Sequence, residues 1–399
     1  MTIPDTSILT GLVERVFKIQ DVTSGDPGKG LIARYRGQLL SEDTEAAYDQ
    51  LASALKPHRI LPYFRSEPGG GHVILLVPQP PAPRPLRIST NIILFVLTVF
   101  SVMLAGAEPS RPFPADTWGQ LQVILETILT GKILTGWPFA LSLLSILLAH
   151  EFGHYLMSRY HKTAATLPYF IPFPLSPLGT MGAAILMRET PKNKRILFDI
   201  GVAGPLAGIV VAIPVLFIGL RMSALGTIQS TPGFSLEGNS LLYLFAKYLV
   251  FGKLLPAPAT THGLSLGLYW LRYFFTGHPI PFGGTDVFIH PVAFAGWAGL
   301  LVTALNLLPV GTLDGGHLVY GLFGEKAAKA YPFALGAMLV LGIFWSGWWL
   351  WALILVWLGR VHAQPLDQIT PLDLPRRVLA LVTLVLFVLV FSPVPFVVF

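Results

Sequence analysis

This chain has no cysteine and few charged residues among its 399 positions. The absence of cysteine excludes disulfides and thiolate metal ligands. Charged side chains make up 12% of the residues, against about a quarter in an ordinary soluble domain, and hydrophobic side chains make up 53%. No basic run alternates with aromatic residues, so the net charge of +6 gives no indication of nucleic-acid binding. The chain does contain several apolar runs close to 20 residues long, which predict a multi-pass membrane protein.

The first 79 residues have a different character from the rest. The segments RVFKIQDV, GLIARYRGQLL, RILPYF and HVILLVP have the composition and alternation of strands, and SEDTEAAYDQLASAL is typical of a helix with Ser41 as its N-cap. We therefore predict a small soluble α+β domain over residues 1–79. A stiff proline-rich linker is predicted over 80–86 and a transmembrane domain over 87–399.

The apolar runs and the loop charges predict a topology. The predicted spans are residues 87–106, 133–160, 196–220, 289–310, 329–345, 347–360 and 376–398, of which two are short enough to form a helical hairpin. Basic residues gather between the second and third spans, whereas the loop over 107–131 carries one arginine against three acids. The positive-inside rule then places the N-terminus in the cytoplasm and the C-terminus outside. We expect an integral protein of a prokaryotic plasma membrane.

The second span ends in three ionisable residues, in the sequence LLAHEFGHYLMSRY. Its H-E-x-x-H pattern places His150 and His154 one helical turn apart, roughly 6 Å along the axis, so that both imidazoles can bind one tetrahedral metal ion. Glu151 is placed beside them to take a proton from water. Ionisable residues inside a span are costly and indicate function, although a polar helix end at the membrane interface is the alternative.

Two histidines leave a catalytic zinc ion short of one protein ligand. Two acids lie in apolar surroundings, Asp199 and Asp314. Asp314 follows a span in TALNLLPVGTLDGGH, where proline and glycine break the helix, and a membrane tolerates such a break only beside protein or a water-filled cavity. We therefore predict Asp314 as the third ligand and interpret Asp199 as an interfacial or helix-start residue. His317 either supports the ligands or is an ordinary hydrogen-bonded histidine.

Four motifs in chain order resemble those of the site-2 protease family of intramembrane metalloproteases. They are HEFGH at 150–154, SPLGTMGAAILM at 176–187, VAGPLAG at 202–208 and NLLPVGTLDGG at 306–316. The resemblance implies one Zn²⁺ per chain held by His150, His154 and Asp314. It also implies that Glu151 is the general base and that Asn306 helps to stabilise the oxyanion.

The resemblance extends to one branch of that family and has one departure. The N-terminal extension and the absence of an inserted PDZ domain are similar to the chloroplast and cyanobacterial branch. Gly208 stands where many relatives have asparagine, so no polar role is implied there. Residues 1–79 lie outside the resemblance.

The segment LPYFIPFPLSPLGTMGAAILMRE, residues 167–189, is apolar but too rich in proline for a regular helix. It starts and ends beside basic residues, so it is not a single crossing. We predict a membrane-inserted β-hairpin whose second arm faces the metal and pairs with an unwound substrate, which needs new backbone partners in lipid. A covered surface loop is the alternative. The predicted substrate-binding residues are Thr180, Met181, Gly182, Ala183, Ala184 and Ile185.

The expected fold is a mainly α-helical polytopic membrane protein of about six to eight spans, with the inserted β-hairpin and the N-terminal α+β domain. The expected function is zinc-dependent cleavage of a transmembrane segment, with a membrane protein substrate and the lipid bilayer as partners. The sequence is also compatible with a homo-oligomer. One alternative is a protease that cuts exposed loops, but the helical glutamate it would need as a ligand is missing between Glu237 and Asp286. The other is a non-catalytic metal sensor or transporter, which would not depend on Glu151.

Overall fold

A computed structural model of the chain describes residues 6–26, 30–67, 69–81, 88–111, 114, 116–230, 235–359 and 363–398. Of the predicted linker over 80–86, residues 82–86 lie outside the described part. The described residues form an N-terminal α+β unit, a bundle of apolar helices and three small two-stranded sheets.

The N-terminal unit is a four-stranded antiparallel sheet with two helices. Its elements are α1 (Thr6–Val13), β1 (Phe17–Ser24), β2 (Ala33–Leu39), α2 (Thr44–Leu55), β3 (Ile60–Ser66) and β4 (His72–Pro78). The strand order is β1-β2-β4-β3, which leaves β3 at one edge. Tyr35, Tyr48 and Phe64 are buried between the sheet and the helices. The predicted N-cap of α2 was wrong: Asp43 accepts the hydrogen bond from the Ala46 amide, because the helix begins two residues later than the sequence suggested.

The edge strand β3 binds a segment from the far end of the chain. The Phe64 amide donates to the carbonyl of Leu366 at 2.9 Å, and the Gln368 amide donates to the carbonyl of Phe64 at 3.0 Å. On its other side, this segment pairs with the basic loop, where the Asp367 amide donates to the carbonyl of Lys192 at 2.7 Å. The N-terminal unit and the basic loop therefore lie at the same end of the helical bundle.

Within the described residues, three helices are long and apolar enough to cross a membrane. They are α3 (Ile88–Gly106), α5 (Trp137–Tyr160), which a 3₁₀ turn at Lys132–Gly136 precedes, and α6 (Lys194–Arg221). They coincide with the first three predicted spans. The other described helices are α4 (Thr117–Leu129), α7 (Leu241–Phe251), α8 (Leu266–Thr276), α9 (Pro291–Asn306), α10 (Asp314–Phe323), α11 (Ala330–Leu341), α12 (Gly347–Leu358) and α13 (Leu374–Val390).

Two predicted spans are too long. Helix α9 ends at Asn306 rather than at residue 310, because Pro309 and Gly311 follow and cannot continue it. Helix α13 ends at Val390, and the chain then forms β10 (Phe396–Val398), which pairs with β8 (Ser235–Glu237). The short helices α11 and α12 pack on each other, and each is about 18 Å long, less than the thickness of the hydrocarbon layer. The total of six to eight spans stays a prediction.

Helices α5, α6 and α9 form the centre of the bundle, and glycines let them approach closely. A Cβ atom on Gly153 of α5 would lie 2.5 Å from the carbonyl oxygen of Ala203 on α6. A Cβ atom on Gly296 of α9 would lie 2.6 Å from the Cα atom of Leu216, also on α6. The backbone of α6 therefore lies directly against both α9 and α5, the helix that carries the histidines.

The remaining strands form pairs beside this bundle. Strand β5 (Tyr169–Pro172) pairs antiparallel with β6 (Thr180–Ala184), within the segment for which a hairpin was predicted. Its insertion into the membrane stays a prediction. Strands β7 (Ala224–Thr227) and β9 (Thr285–Phe288) pair at the end of the bundle opposite the basic loop, where α6 ends and α9 begins.

Candidate metal centre

The two histidines of α5 and the aspartate that begins α10 meet inside the bundle. The two imidazole Nε2 atoms of His150 and His154 are 3.2 Å apart, and each lies 3.3 Å from Oδ2 of Asp314. Both histidines are buried, and the aspartate is nearly so. Within the described part of the chain, these three residues are the group able to hold a metal ion.

The spacing of these three atoms fits zinc. Two ligands of a tetrahedral ion with bonds of ~2.0–2.1 Å stand ~3.3–3.4 Å apart, which agrees with the three observed separations. Two imidazoles and one carboxylate are also a common ligand set of catalytic zinc, with one position left for water or substrate. The predicted third ligand, Asp314, is therefore where a zinc ion requires it.

The orientation of His154 is set by helix α6. The Nδ1 atom of His154 lies 2.7 Å from the carbonyl oxygen of Ile200. A carbonyl only accepts, so Nδ1 carries the proton and Nε2 presents its lone pair to the metal position. This partner could not be found from the sequence, because any residue of α6 has a backbone carbonyl.

Three glycines of α6 provide the surface on which the histidines rest. A Cβ atom on Gly204 would lie 2.1 Å from Nε2 of His154, and one on Gly208 would lie 3.3 Å from the Cβ atom of His150. A Cβ atom on Gly201 would lie 2.8 Å from the Cβ atom of His317. Sequence reasoning noted the motif that contains two of these glycines but assigned them no function. Their spacing of three and four residues, which places them on one helix face, was the signal.

The position of Asp314 depends on a break between α9 and α10. Gly311 has a positive φ of 60°, which permits the sharp turn before the second helix. Cβ atoms on Gly315 and Gly316 would lie 2.0 Å and 2.3 Å from the carbonyl oxygens of Leu307 and Gly311. The two glycines after the aspartate therefore allow α10 to begin directly against the preceding loop, with the carboxylate at the positive end of the helix.

Two other predicted residues, Glu151 and Asn306, lie in the same cavity of about 390 Å³ as the three ligands. Glu151 is buried, and the backbone amide of Ile185 faces its carboxylate. The Nδ2 atom of Asn306, the last residue of α9, lies 3.3 Å from Nε2 of His150. His317 lines this cavity as well.

Asp199 lies apart from the metal centre. Its carboxylate accepts two hydrogen bonds of 2.7 Å from the Arg376 guanidinium and lies 2.9 Å from Nε2 of His161. These contacts join α6 to the end of α5 and the start of α13. The structure therefore gives Asp199 a role in packing, which agrees with its interpretation as an interfacial residue.

Half of the residues predicted to bind substrate line the metal cavity. Ala183, Ala184 and Ile185 line the cavity, whereas Thr180, Met181 and Gly182 do not. Thr180 is buried, and its hydroxyl donates to the carbonyl of Ile171 on β5 at 2.8 Å, so it holds the two strands together. The side chain of Met181 is 67% exposed and points away from the cavity. The first half of the predicted set therefore lies outside this cavity, because β6 leads up to the cavity before it lines it, and its part in substrate binding stays a prediction.

The direction of the backbone amides decides which of these residues has an open hydrogen-bonding edge. Among the described strands, β6 pairs with β5 alone. Leu186 exchanges hydrogen bonds with Thr166 on the β5 side, whereas the Ile185 amide faces Glu151 on the opposite side. Because amide directions alternate along a strand, Ala184 points to the β5 side and Ala183 to the open edge.

Comparisons with known proteins agree with this geometry. Residues 138–344, which contain all of the ligands, match Peptidase family M50. The chain is 28% identical over 325 residues to "Probable zinc metalloprotease EGY1, chloroplastic" of Oryza sativa subsp. japonica, covering 76% of this chain and 50% of that protein. It is 32% identical over 263 residues to the protein of the same name from Arabidopsis thaliana, covering 64% of this chain and 43% of that protein.

A further relative is "Probable zinc metalloprotease EGY2, chloroplastic" of Arabidopsis thaliana, 27% identical over 263 residues, covering 65% of this chain and 42% of that protein. The chain thus spans about half the length of the curated relatives it matches. All three are named as chloroplastic, which gives no support to the predicted prokaryotic plasma membrane. The family match and the zinc metalloprotease names confirm the site-2 protease resemblance: this chain is an integral membrane protein that belongs to peptidase family M50, and the three relatives named above are of the chloroplast branch.

Proposed function

We propose that this chain is a zinc-dependent endopeptidase that cleaves a transmembrane segment of a membrane protein. The observation that carries the proposal is the placement of Glu151 in one cavity with His150, His154 and Asp314, on a helix long and apolar enough to span a bilayer. A metal-ligand set with a carboxylate beside it is the arrangement that metal-assisted hydrolysis requires.

The side chains divide the chemistry among them. His150, His154 and Asp314 would hold a zinc ion, which when bound supplies Lewis-acid polarisation of the scissile carbonyl and makes water more acidic. Glu151 takes a proton from the attacking water and delivers it to the leaving amine. The backbone amide of Ile185 faces the Glu151 carboxylate and would help to orient it for both transfers.

Asn306 supplies a hydrogen-bond donor to the developing oxyanion. Its amide nitrogen lies 3.3 Å from the His150 nitrogen whose lone pair faces the metal position. With that lone pair engaged as a zinc ligand, the Asn306 amide would be free to donate into the cavity. A donor placed before the reaction begins stabilises the transition state by several kcal/mol, about 3 in well-studied oxyanion holes.

The second strand of the β5–β6 pair would hold the substrate. A helical substrate hides its carbonyls in its own hydrogen bonds, so cleavage requires local unwinding and new backbone partners. The open edge of β6 beside Ala183 supplies such partners next to the metal. An unwound segment bound there as an added strand would present its scissile carbonyl in extended form.

The test is the substitution Glu151→Gln in the full-length, purified protein. We expect one zinc ion per chain, as in the wild type, and a loss of cleavage of a single-span test substrate by a factor of ~10²–10⁴, since the general base is removed while the ligands remain. Glu126→Gln, which neutralises an exposed carboxylate far from the cavity, is the matched control and should cleave normally. Wild-type turnover by the Glu151 variant would refute the catalytic role.

The same variant separates the proposal from the alternative function. A non-catalytic metal sensor or transporter would retain its metal-dependent behaviour in Glu151→Gln, because the three ligands are unchanged. Transport or metal-dependent conformational change that survives this substitution, with no cleavage by the wild type, would favour that alternative.

We further propose that residues 1–79 form a separate cytosolic unit that regulates the catalytic part or filters its substrates. Support comes from the segment that β3 binds, because Ala363, just before that segment, lines the metal cavity. Glu45 adds ion pairs of 3.0 Å to Lys192 and 2.9 Å to Arg195. Movement of the N-terminal unit would therefore be transmitted to the border of the active site.

A further inference from the structure

A second and larger cavity, of about 750 Å³, lies at the end of the bundle remote from the metal centre. Its wall includes Gly106 at the end of α3, Phe139 at the start of α5 and Phe396 on the last strand. Phe139 precedes His150 by 11 residues on the same helix, which places the cavity about 16 Å from the metal position along the helix axis. The proposed chemistry makes no use of this cavity.

Two buried acids line the cavity, and one lysine lies beside them. Glu237 and Asp286 are 8% and 2% exposed, and Lys247 is fully buried. The ammonium of Lys247 lies 3.4 Å from Oδ1 of Asp286, whereas Glu237 accepts a 2.7 Å hydrogen bond from the neutral hydroxyl of Tyr243. Among these described residues, one ammonium group thus faces two carboxylates, so the cavity wall has one more acidic group than basic groups.

The protonation behaviour of Glu237 agrees with this imbalance. Burial, together with repulsion from Asp286, raises the pKa of Glu237 to about 7, although Lys247 acts in the opposite direction. A buried carboxylate in this state gains most from a cation that enters the cavity, because such a cation replaces the missing counter-charge.

The hairpin connects this cavity to the metal centre. Pro177, in the loop between β5 and β6, lines the second cavity, and β6 then runs to Ala183 at the first. Residues 177–179 form the turn before β6, and the chain is extended from Thr180 to Ala184. The six residues from Pro177 to Ala183 therefore reach at most about 20 Å, which is comparable with the separation of the two cavities. A chain that lies along β6 with its scissile bond at the metal would therefore continue into the second cavity.

The remaining wall suits the region where a transmembrane segment meets the membrane surface. Phe294 and Trp345 join the other aromatic residues around the two acids. An arginine or lysine at the end of a span packs its apolar stem on such rings and directs its charged group to a carboxylate. The cavity thus combines the two surfaces that a basic flanking residue requires.

We propose that this cavity binds the flank of the substrate on the membrane side remote from the metal, and that Glu237 selects a lysine or arginine in that flank. The inference rests on the proposed function, because it takes the occupant to be the substrate's own chain. The basic residue would stand about 11 residues from the scissile bond where the intervening chain is helical, and about 5 residues away where it is extended.

The experiment measures binding in the full-length Glu151→Gln protein, so that cleavage does not interfere. Three single-span test substrates differ at one flank position and carry arginine, glutamine or glutamate there. We expect the arginine substrate to bind about tenfold more tightly than the glutamine substrate, as one charge-assisted hydrogen bond predicts, and the glutamate substrate to bind more weakly. Adding Glu237→Gln, which keeps an oxygen for the Tyr243 hydroxyl, should abolish the preference for arginine.

The controls separate this inference from the function on which it rests. Glu126→Gln, added in place of the Glu237 change, should leave the preference intact, because Glu126 is exposed and does not line the cavity. Equal binding of the three substrates, or a preference that survives Glu237→Gln, overturns the role of the cavity. If the double variant does not fold, the glutamate substrate still tests the proposal in the Glu151→Gln protein. The proposal is overturned if the glutamate substrate binds as tightly as the arginine substrate. Cleavage of the glutamine substrate by the wild type tests the protease function independently.

Discussion

The substitution Gly204→Ala adds one methyl group against the proposed metal ligand His154 without replacing any functional side chain. In the structure, the new Cβ atom would lie 2.1 Å from Nε2, 2.4 Å from Cδ2 and 2.5 Å from Cε1 of His154. Carbon atoms in contact normally stand ~3.5–4.0 Å apart, so the imidazole must retreat by more than 1 Å. The imidazole cannot retreat freely, because its Nδ1 atom is bound to the carbonyl of Ile200 and His154 lies within the packed helix α5.

The expected loss of zinc affinity follows from this displacement. Zinc sites tolerate deviations of ~0.2 Å in their ligand distances, several times less than the required movement. Disturbing the support of a ligand commonly lowers metal affinity ~10–100-fold, and we expect Gly204→Ala to reach at least that range. Overpacking of the α5–α6 contact should also lower the free energy of unfolding by ~1–3 kcal/mol.

Gly208→Ala is the matched control, four residues further along the same face of α6. Its Cβ atom would lie 3.3 Å from both Cβ and Nδ1 of His150, so a shift of a few tenths of an ångström accommodates it. Both substitutions raise helix propensity by the same ~1 kcal/mol, so this contribution cancels in the comparison. We expect Gly208→Ala to keep its zinc.

The assay is zinc content after competition with a chelator, measured on both variants in detergent together with their thermal unfolding. The expected result is zinc loss from the Gly204 variant at chelator concentrations that leave the Gly208 variant and the wild type loaded. A folded Gly204→Ala protein with wild-type zinc affinity would show that α6 does not position His154, and the reasoning from the close contact would be refuted.

Three further predictions concern other parts of the molecule. Asp314→Ala should lose most of its zinc, whereas Asp199→Ala should keep zinc but melt at a lower temperature, because Asp199 joins three helices. If metal analysis gave the opposite result, the ligand role would pass from Asp314 to Asp199. Ala183→Pro should remove a donor at the open edge and lower turnover with little change in stability, whereas Ala184→Pro should disrupt the β5–β6 pair and lower the melting temperature; equal effects would contradict the assigned amide directions. The isolated fragment 1–79 should fold by itself, and a disordered circular dichroism spectrum would show that its boundary is wrong.

Much of the site could be predicted because the evidence for it is local. Two histidines four residues apart share a helix face whatever the rest of the fold does, and an aspartate among proline and glycine in an apolar region is costly unless it binds a partner. The first three spans coincide with helices for a similar reason, since their length and apolar composition are properties of continuous segments. The N-terminal strands were predicted from their alternation of apolar and polar residues.

The errors came where a segment depends on a distant partner. The last span was predicted over 376–398, but Phe396–Val398 pair with a strand near residue 236, and apolar composition does not distinguish a membrane helix from such a strand. The predicted second arm of the hairpin contains β6 at Thr180–Ala184, yet which of its residues reach the metal cavity depends on how the β5–β6 pair lies against the bundle. The contact of β3 with Leu366 joins residues about 300 positions apart and leaves no local signal.

The sequence by itself determined the candidate chemistry of this protein, namely the proposed metal ligands, the proposed base and the apolar helices, because these follow from residue type and short spacing. The tertiary structure decided how that chemistry is held in place and what surrounds it. The Ile200 carbonyl, the Gly204 contact and the acidic cavity around Glu237 each arise from elements that meet only after folding. Backbone carbonyls and glycines carry no chemical signature in a sequence, so their roles become visible only when packing brings them against a functional side chain.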